Sequence, residues 1–236
     1  MAAALILSGG NGTRLGSDIP KQYIKIHGRS VISYCIECLC AHGGIDALQV
    51  VAAAQWHGTV RECLEKYDTD GKFRGFSAPG ENRQLSIYSG LTDIRKYADD
   101  SDVVLVHDAA RPLLSAQMVT DCLEAVRGHD GVVPVLPMKD TVYRSTDGRK
   151  ISALLERSEI YAGQAPEAFR IGAYYEANRR LLPDRILAVN GSTEPAVMAG
   201  LDMVMIAGDE GNFKITTAED LRRFGELVSR RTVEGV

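Results

Sequence analysis

Short unbroken apolar runs alternate with longer amphipathic segments along most of this chain, and that rhythm restricts the fold more than any other feature. "AAALILS", "ALQVVAAA", the apolar part of "DVVLVHDAARP" and "GVVPVLPM" are continuous rather than alternating in polarity. A strand that is apolar on both sides must be covered on both sides, which a parallel sheet wrapped by helices achieves. Between the runs lie segments with apolar residues at helical spacing. "VISYCIECLCAHG" predicts a helix ended by Gly43, and "HGTVRECLEKY" and "RQLSIYSGLTDIRKYA" predict two more. "SAQMVTDCLEAVRGH" predicts a helix with Ser115 as its N-cap. "RGFSAPG" is read as a short strand leading into a turn. The expected class is α/β, a mostly parallel sheet with helices on both faces.

The rhythm breaks over residues 139–169, "KDTVYRSTDGRKISALLERSEIYAGQAPEAF", where strand-like pieces flank a "TDG" turn and no helix is read before Pro166. Such an excursion predicts a β-hairpin arm at about 139–165, projecting from the body and available for contact with another subunit. The alternation resumes with "GAYYEANRRLL", "LDMVMIAG" and "TAEDLRRFGELVSRR". No linker or repeat interrupts the chain, so a single domain over 1–236 with one arm is expected.

Composition narrows the class of partner. A net charge of -4 argues against nucleic acid and acidic membrane surfaces on global electrostatics. A mildly acidic protein that binds polyphosphate has to gather its cations locally, so individual Lys and Arg positions carry information. Five cysteines, three of them in "CIECLC", are read as small apolar residues of a helix, because no second Cys or His pair completes a zinc site. The odd count and the absence of a basic stretch before the first apolar run point to a reducing, cytoplasmic setting.

In a parallel sheet, ligands bind beyond the carboxyl ends of the strands, and four such ends carry suggestive residues. In "LSGGNGTRLGSDIPKQY", Gly9, Gly10 and Gly12 permit close approach of backbone N–H groups to anionic oxygens, and Arg14 and Lys21 bring charge. The loop is either a phosphate cradle or a tight structural turn. It is not a dinucleotide fingerprint, because three residues separate Gly12 from Gly16, and no G-K-[ST] follows at P-loop spacing. In "APGENRQLSIYSGL", Gly80, Arg83 and Ser86 sit where a helix begins, as nucleoside contacts or as a capped turn. In "VVLVHDAARP", Asp108 ends an apolar strand in the place of a Mg²⁺ ligand, and Arg111 follows. His107 is left out of the catalytic set. In "GNFKITTAEDL", Lys214 is placed in a short β segment before a helix capped at Thr217, within reach of phosphate or simply solvated.

Taken in order, "GGNGTRLGSDIPKQY", "GENRQLSIYSGL", "VHDAARP", "PMKDTVYRS", "GQAPEAF" and "NFKITTAEDL" resemble the cytidylyltransferases that make CDP-polyols, from about residue 4 to about residue 228. The best-known members act on 2-C-methyl-D-erythritol 4-phosphate, in isoprenoid synthesis, and on ribitol 5-phosphate. The resemblance implies a Rossmann-like nucleotidyltransferase fold, a homodimer that swaps its β-arms, and a Mg²⁺-dependent attack of a polyol phosphate on the α-phosphorus of CTP. Carried over, Ser8, Gly9, Gly10 and Gly12 line the CTP site, and Arg14 and Lys21 act at the α-phosphate. Gly80 and Ser86 approach cytosine and ribose, Arg83 braces their loop, Asp108 holds Mg²⁺ or the ribose side, and Lys214 clamps phosphate oxygens. Arg111, with Thr141 and Arg157 from the partner's arm, binds the acceptor phosphate.

The departures fall on the acceptor side. Ala165 stands in "GQAPEAF" where the family usually has Thr, and "NGSTEPA" replaces its "TD-[ED]-A" segment. CTP is therefore better specified than the acceptor. Methylerythritol phosphate is the leading expectation, ribitol 5-phosphate the alternative, and the glycine before Gln164 resembles the ribitol branch. An idle nucleotide-binding module is disfavoured by the joint presence of Arg14, Lys21, Asp108 and Lys214, and a nicotinamide oxidoreductase by the failed glycine spacing.

Overall fold

In the computed structural model, which describes residues 1–10 and 19–234, the strands and helices follow one another much as the alternation predicts. The elements are β1 (Ala2–Leu7), β2 (Lys25–Ile26), β3 (Arg29–Ser30), α1 (Val31–Ala41), β4 (Ala47–Val51), α2 (His57–Tyr67) and β5 (Phe73–Ser77). Then come α3 (Arg83–Ile94), β6 (Val103–Asp108), α4 (Ala116–Ala125), β7 (Gly131–Pro137), β8 (Tyr143–Arg144) and β9 (Ala153–Leu154). The chain closes with β10 (Tyr161–Gly163), β11 (Glu167–Arg170), α5 (Ile171–Arg179), α6 (Glu194–Met198), β12 (Met203–Ala207) and α7 (Ala218–Glu234).

One eight-stranded sheet runs β10-β7-β11-β6-β1-β4-β5, with β12 added to β7. β1 pairs in parallel with both β4 and β6, β4 with β5, and β12 with β7. Each central strand feeds both faces. Ala2, Ala4 and Ile6 of β1 join the core under α1, α2 and α4, whereas Ala3 and Leu5 join the core under α3 and α5. Val103 and Leu105 of β6 divide from Val104 and Val106 in the same way. That two-sided burial is why these runs are continuous in the sequence, each fully buried aliphatic side chain contributing about 1.5–3 kcal/mol. The cysteines lie in or against this core, and burial pushes the Cys38 thiol up to about 11 and those of Cys40 and Cys122 up to about 12. None of them is a thiolate at neutral pH.

α1 runs to Ala41 with His42 as its C-cap, so it ends at Gly43 as expected, and Lys72 Nζ donates to the Cys40 and His42 carbonyls at that end (2.6 and 2.9 Å). Two local expectations are corrected. The 139–169 stretch is an arm only in part. β8 and β9 pair antiparallel as a separate hairpin, but β10 and β11 turn back into the main sheet, β11 lying antiparallel between β6 and β7. Ala168 and Phe169 of β11 are fully buried, which anchors the base of the arm in the core. Finally, Lys214 sits in an irregular segment, not a strand, although Ile215 N–H donates to Ala110 O at 2.8 Å. α7 begins as expected. Thr217 Oγ1 accepts from Asp220 N–H, and the Asp220 carboxylate accepts in return from the N–H groups of Thr216 and Thr217.

Candidate active site

The chain leaves β1 toward α1 and β4 on one side, while β6 flanks β1 on the other, so the crossover changes direction beside β1. Beyond the carboxyl ends of β1 and β6 lies a cleft of about 410 Å³. Its walls come from Gly9 and Gly10, the turn bearing Lys21 and Gln22, the residues from Gly80 to Arg83 with Ser86, and Lys214 with Thr216. Asp108 and Ala110 close the floor.

Asp108 organises the charges. Its Oδ1 accepts from Arg83 Nε and Nη2 at 3.2 and 3.0 Å, and its Oδ2 accepts from Lys214 Nζ at 2.9 Å. Burial alone would push this carboxyl up, but the Arg83 guanidinium and the Lys214 ammonium reverse the effect and hold it far below the usual carboxylate range. Arg83 was expected to brace the 80–86 loop; instead it spans the cleft floor and fixes α3 to the end of β6. Arg111, 12% exposed, donates from Nη1 to Asn212 O at 2.6 Å and keeps Nε 4.0 Å from Asp108 Oδ2. Asn212 donates to Ala165 O at 2.7 Å, and Gln164 exchanges two bonds with the Asp209 backbone. The loop that carries Lys214 is thereby pinned to the base of the arm. His107 lies behind, with Nε2 donating to Arg111 O at 3.0 Å. Burial lowers its pKa to about 4, so it is a neutral structural group at physiological pH.

The glycine positions divide in function. A Cβ on Gly9 would stand 2.5 Å from Pro79 Cβ, so Gly9 lets two loops close on one another, and one on Gly80 would stand 2.3 Å from Leu85 Cβ, so Gly80 lets the preceding turn fold onto the start of α3. Among the described residues, no atom lies within 4 Å of a Cβ placed on Gly10. Ser8 was expected on the nucleotide side, but it is 2% exposed and its hydroxyl donates to Tyr23 Oη at 2.7 Å, so its side chain packs beneath the loop. Ser86 lines the cleft, yet its hydroxyl accepts from Gly80 N–H and donates to Asn82 O, locking the turn that precedes α3. Gly12 and Arg14 lie outside the described residues. Thr141 and Arg157 are exposed on the arm and are not brought to the cleft within the chain; Arg157 Nη1 donates to Lys139 O at 2.9 Å.

Several residues that shape the site were missed by inspection of the sequence. Asn82 caps α3 through Leu85 N–H and also donates to Ile186 O. Gln22 pins the glycine turn. Glu167, 7% exposed, accepts from Ser192 Oγ beneath the cleft, and Tyr174 Oη donates to Ser192 O at 2.7 Å. Burial raises the Glu167 carboxyl to about 7 against the opposing pull of Arg83. A charged residue inside "GQAPEAF", next to buried Ala168 and Phe169, was the only available signal for it. Among the described residues no three His, Cys, Asp or Glu side chains gather as a metal cluster, and no helix is long and apolar enough to cross a membrane.

Comparison with known proteins agrees with this geometry. The profile of the IspD family, described as 2-C-methyl-D-erythritol 4-phosphate cytidylyltransferase, matches residues 2–230. The ribitol-5-phosphate cytidylyltransferase of Lactiplantibacillus plantarum is 32% identical over 235 residues, covering 98% of this chain and all of that protein. A bifunctional IspD/IspF enzyme of Granulibacter bethesdensis is 34% identical over 231 residues, covering 96% of this chain but only 56% of that protein. The solved structure of 4-diphosphocytidyl-2C-methyl-D-erythritol synthase from Anaerococcus prevotii superposes with a TM-score of 0.80 at 26% identity, covering 97% and 96% of the two chains. With a cleft at the strand ends lined by Lys21, Arg83 and Lys214, and a family profile matched over nearly its whole length, the chain belongs to the IspD family and is a cytidylyltransferase, an enzyme of the nucleotidyltransferase class.

Proposed function

We propose that the protein transfers CMP from CTP to a polyol phosphate and releases pyrophosphate. The observation that carries this is the convergence of Lys21, Arg83 and Lys214 on one cleft that also holds the buried Asp108 carboxylate. An oxygen of the acceptor phosphate attacks the α-phosphorus, and the bond to the oxygen bridging the α- and β-phosphorus breaks. Two anions meet in this step, so positioning and charge neutralisation supply most of the acceleration. Arg83, held by Asp108, presents a fixed positive charge on the floor. Lys21 and Lys214 both line the cleft, and Arg14 and Gly12 are assigned beside them from the sequence alone. Lys21 and Arg14 act where charge develops on the α-phosphate; Lys214 clamps phosphate oxygens.

The family resemblance implies Mg²⁺, and the residues present fit an ion carried in by the triphosphate rather than an all-protein cage. Asp108 would hold it, because among the described residues its Oδ2 accepts one hydrogen bond, from Lys214, and keeps acceptor capacity. Bound there, the ion would neutralise phosphate charge.

The acceptor site is completed by a second subunit in this proposal. Arg111 lies beside the floor, whereas Thr141 and Arg157 are on the arm. Tyr143, Ile151 and Leu154 of the arm are 56, 66 and 67% exposed, an apolar surface suited to burial against another copy. Methylerythritol phosphate is the acceptor named by the family profile and the solved relatives. Ribitol 5-phosphate is the second reading, favoured by the end-to-end match to a ribitol-5-phosphate cytidylyltransferase. A panel of polyol phosphates incubated with CTP and Mg²⁺, scored by pyrophosphate release, tests both. Release with no acceptor of the panel would overturn the proposal.

A further inference from the structure

We infer that Gln22 is a positioning residue, which turns the Ser8–Gly10 backbone so that the glycine turn presents itself to the polyphosphate of the nucleotide without Gln22 taking part in the chemistry. Gln22 follows Lys21 in a single 3₁₀ turn, Lys21–Tyr23, and is 4% exposed. Both amide hydrogens of its Nε2 are committed: one goes to Ser8 O at 2.9 Å and the other to Gly10 O at 2.8 Å. Ser8 O takes a second donor, Tyr23 Oη–H at 3.0 Å, while Ser8 N–H is tied to Val51 O in the neighbouring strand at 2.9 Å.

The consequence follows from peptide geometry. In a trans peptide the C=O and the following N–H point in opposite directions. Pulling the Ser8 carbonyl toward Gln22 therefore directs the Gly9 N–H to the opposite side of the chain, and the Gly10 carbonyl is held back in the same manner. A carbonyl facing a triphosphate would repel it, whereas N–H groups attract it. Gln22 thus holds two acceptor groups on its own side of a turn whose glycines, Gly9 and Gly10, carry no side chain to fix their orientation. The same short turn places Lys21 at the cleft, so one sequence unit supplies a cation and the fork that orients the glycine turn.

This rests on CTP as the nucleotide, and the test is arranged to separate the two. Gln22→Met keeps the volume and loses both donors; Gln22→Glu keeps the shape and sets a carboxylate against two carbonyls; Tyr23→Phe removes one donor to Ser8 O and leaves the fork. Titration calorimetry with CTP, CMP and inorganic tripolyphosphate is run on all four proteins, with melting temperatures and steady-state KM values alongside. Expected for both Gln22 variants are losses of at least tenfold for CTP and tripolyphosphate. CMP affinity stays within about twofold and acceptor KM is unchanged. Tyr23→Phe should lose about threefold. Equal losses for CMP and CTP, or no loss for CTP, would overturn the role of Gln22. Wild-type protein that binds tripolyphosphate but not CTP would remove the nucleotide reading and leave the Gln22 comparison intact on tripolyphosphate. Binding of neither by the wild type would overturn both.

Discussion

The cleft and the arm are built on opposite principles. At the cleft, Asp108, Arg111 and Gln22 are buried or nearly so, and each makes polar contacts to segments distant in the chain, Asp108 to Arg83 and Lys214, Arg111 to Asn212, and Gln22 to the Ser8–Gly10 turn. On the arm, Thr141 and Arg157 are exposed, the bond found for Arg157 goes to Lys139 in the same arm, and Lys139 itself pairs with exposed Glu210. Groups meant to meet a tetra-anionic ligand have to be preorganised before it arrives, or the reorganisation offsets the gain. Groups that wait for another subunit can remain solvated, because association supplies their surroundings. Under the proposed function, the contrast fits a cleft that handles nucleotide and phosphorus chemistry and an arm that meets the acceptor.

The sharpest test strikes the cleft. Lys21→Ala should lower kcat by about 10²–10³-fold, the range for losing one preorganised transition-state group, while CTP affinity changes severalfold at most. Stopped-flow pyrophosphate release with a parallel CTP titration checks it. Equal losses in turnover and binding would make Lys21 an ordinary binding group and blur the division between the regions.

Asp108→Asn should act on stability as well as on activity. It leaves Arg83 and Lys214 facing a neutral amide, and breaking a buried pair costs about 3–5 kcal/mol. Lys214 is 35% exposed on its side chain, which discounts its share and leaves about 3 kcal/mol. Urea unfolding reads this directly. A change below about 1 kcal/mol would mean that the cluster is not holding the cleft together. Arg157→Ala, by contrast, should leave the unfolding midpoint in place.

Most of the sheet was legible because two-sided burial leaves continuous apolar runs, as in β1 and β6, and because caps such as Ser115 and Thr217 mark helix starts. β11 was not legible. Four residues, Glu167–Arg170, bounded by charges and preceded by Pro166, carry too little pattern to separate a buried strand from a loop. The candidate cleft was legible where a residue type has a characteristic place, such as a carboxylate ending a strand or glycines after one. It was illegible where the role is a contact across the fold. Nothing local to Ser8 indicates that Tyr23 occupies its hydroxyl, and nothing local to Arg83 indicates Asp108 as its partner.

Glu167 lies at the join between the two regions and gives a prediction of about 2 kcal/mol. Its carboxyl is raised by burial to about 7 from an ordinary value of 4.5. Between those values the folded state holds more protons than the unfolded one, so stability falls as pH rises through the window and the penalty is complete above it. From pH 5 to pH 7.5 this single group should remove about 2 kcal/mol of unfolding free energy. Glu167→Gln keeps an acceptor for Ser192 Oγ and abolishes the fall. Urea melts at the two pH values should show the gap between variant and wild type widening toward pH 7.5. A constant gap would show that Glu167 is already ionised at pH 5 and paired.

The smallest effect decides whether the regions belong to one site. Arg157→Ala should raise the acceptor KM about tenfold, about 1.4 kcal/mol, and leave the CTP KM alone. Mixing adds what kinetics on one variant cannot. Lys214→Ala and Arg157→Ala proteins, each impaired, are combined, unfolded and refolded together. If each site draws its cleft from one chain and its arm from another, a mixed dimer carries both defects in one site and neither in the other. Random pairing then yields about half mixed dimers, hence about a quarter of the sites intact, and activity at low acceptor concentration should rise to about a quarter of wild type. If arm and cleft of the same chain form the site, every site keeps one defect and mixing restores nothing. That result would leave the exposed Tyr143, Ile151 and Leu154 without a role in acceptor binding, and the difference between the two regions would be one of stability alone.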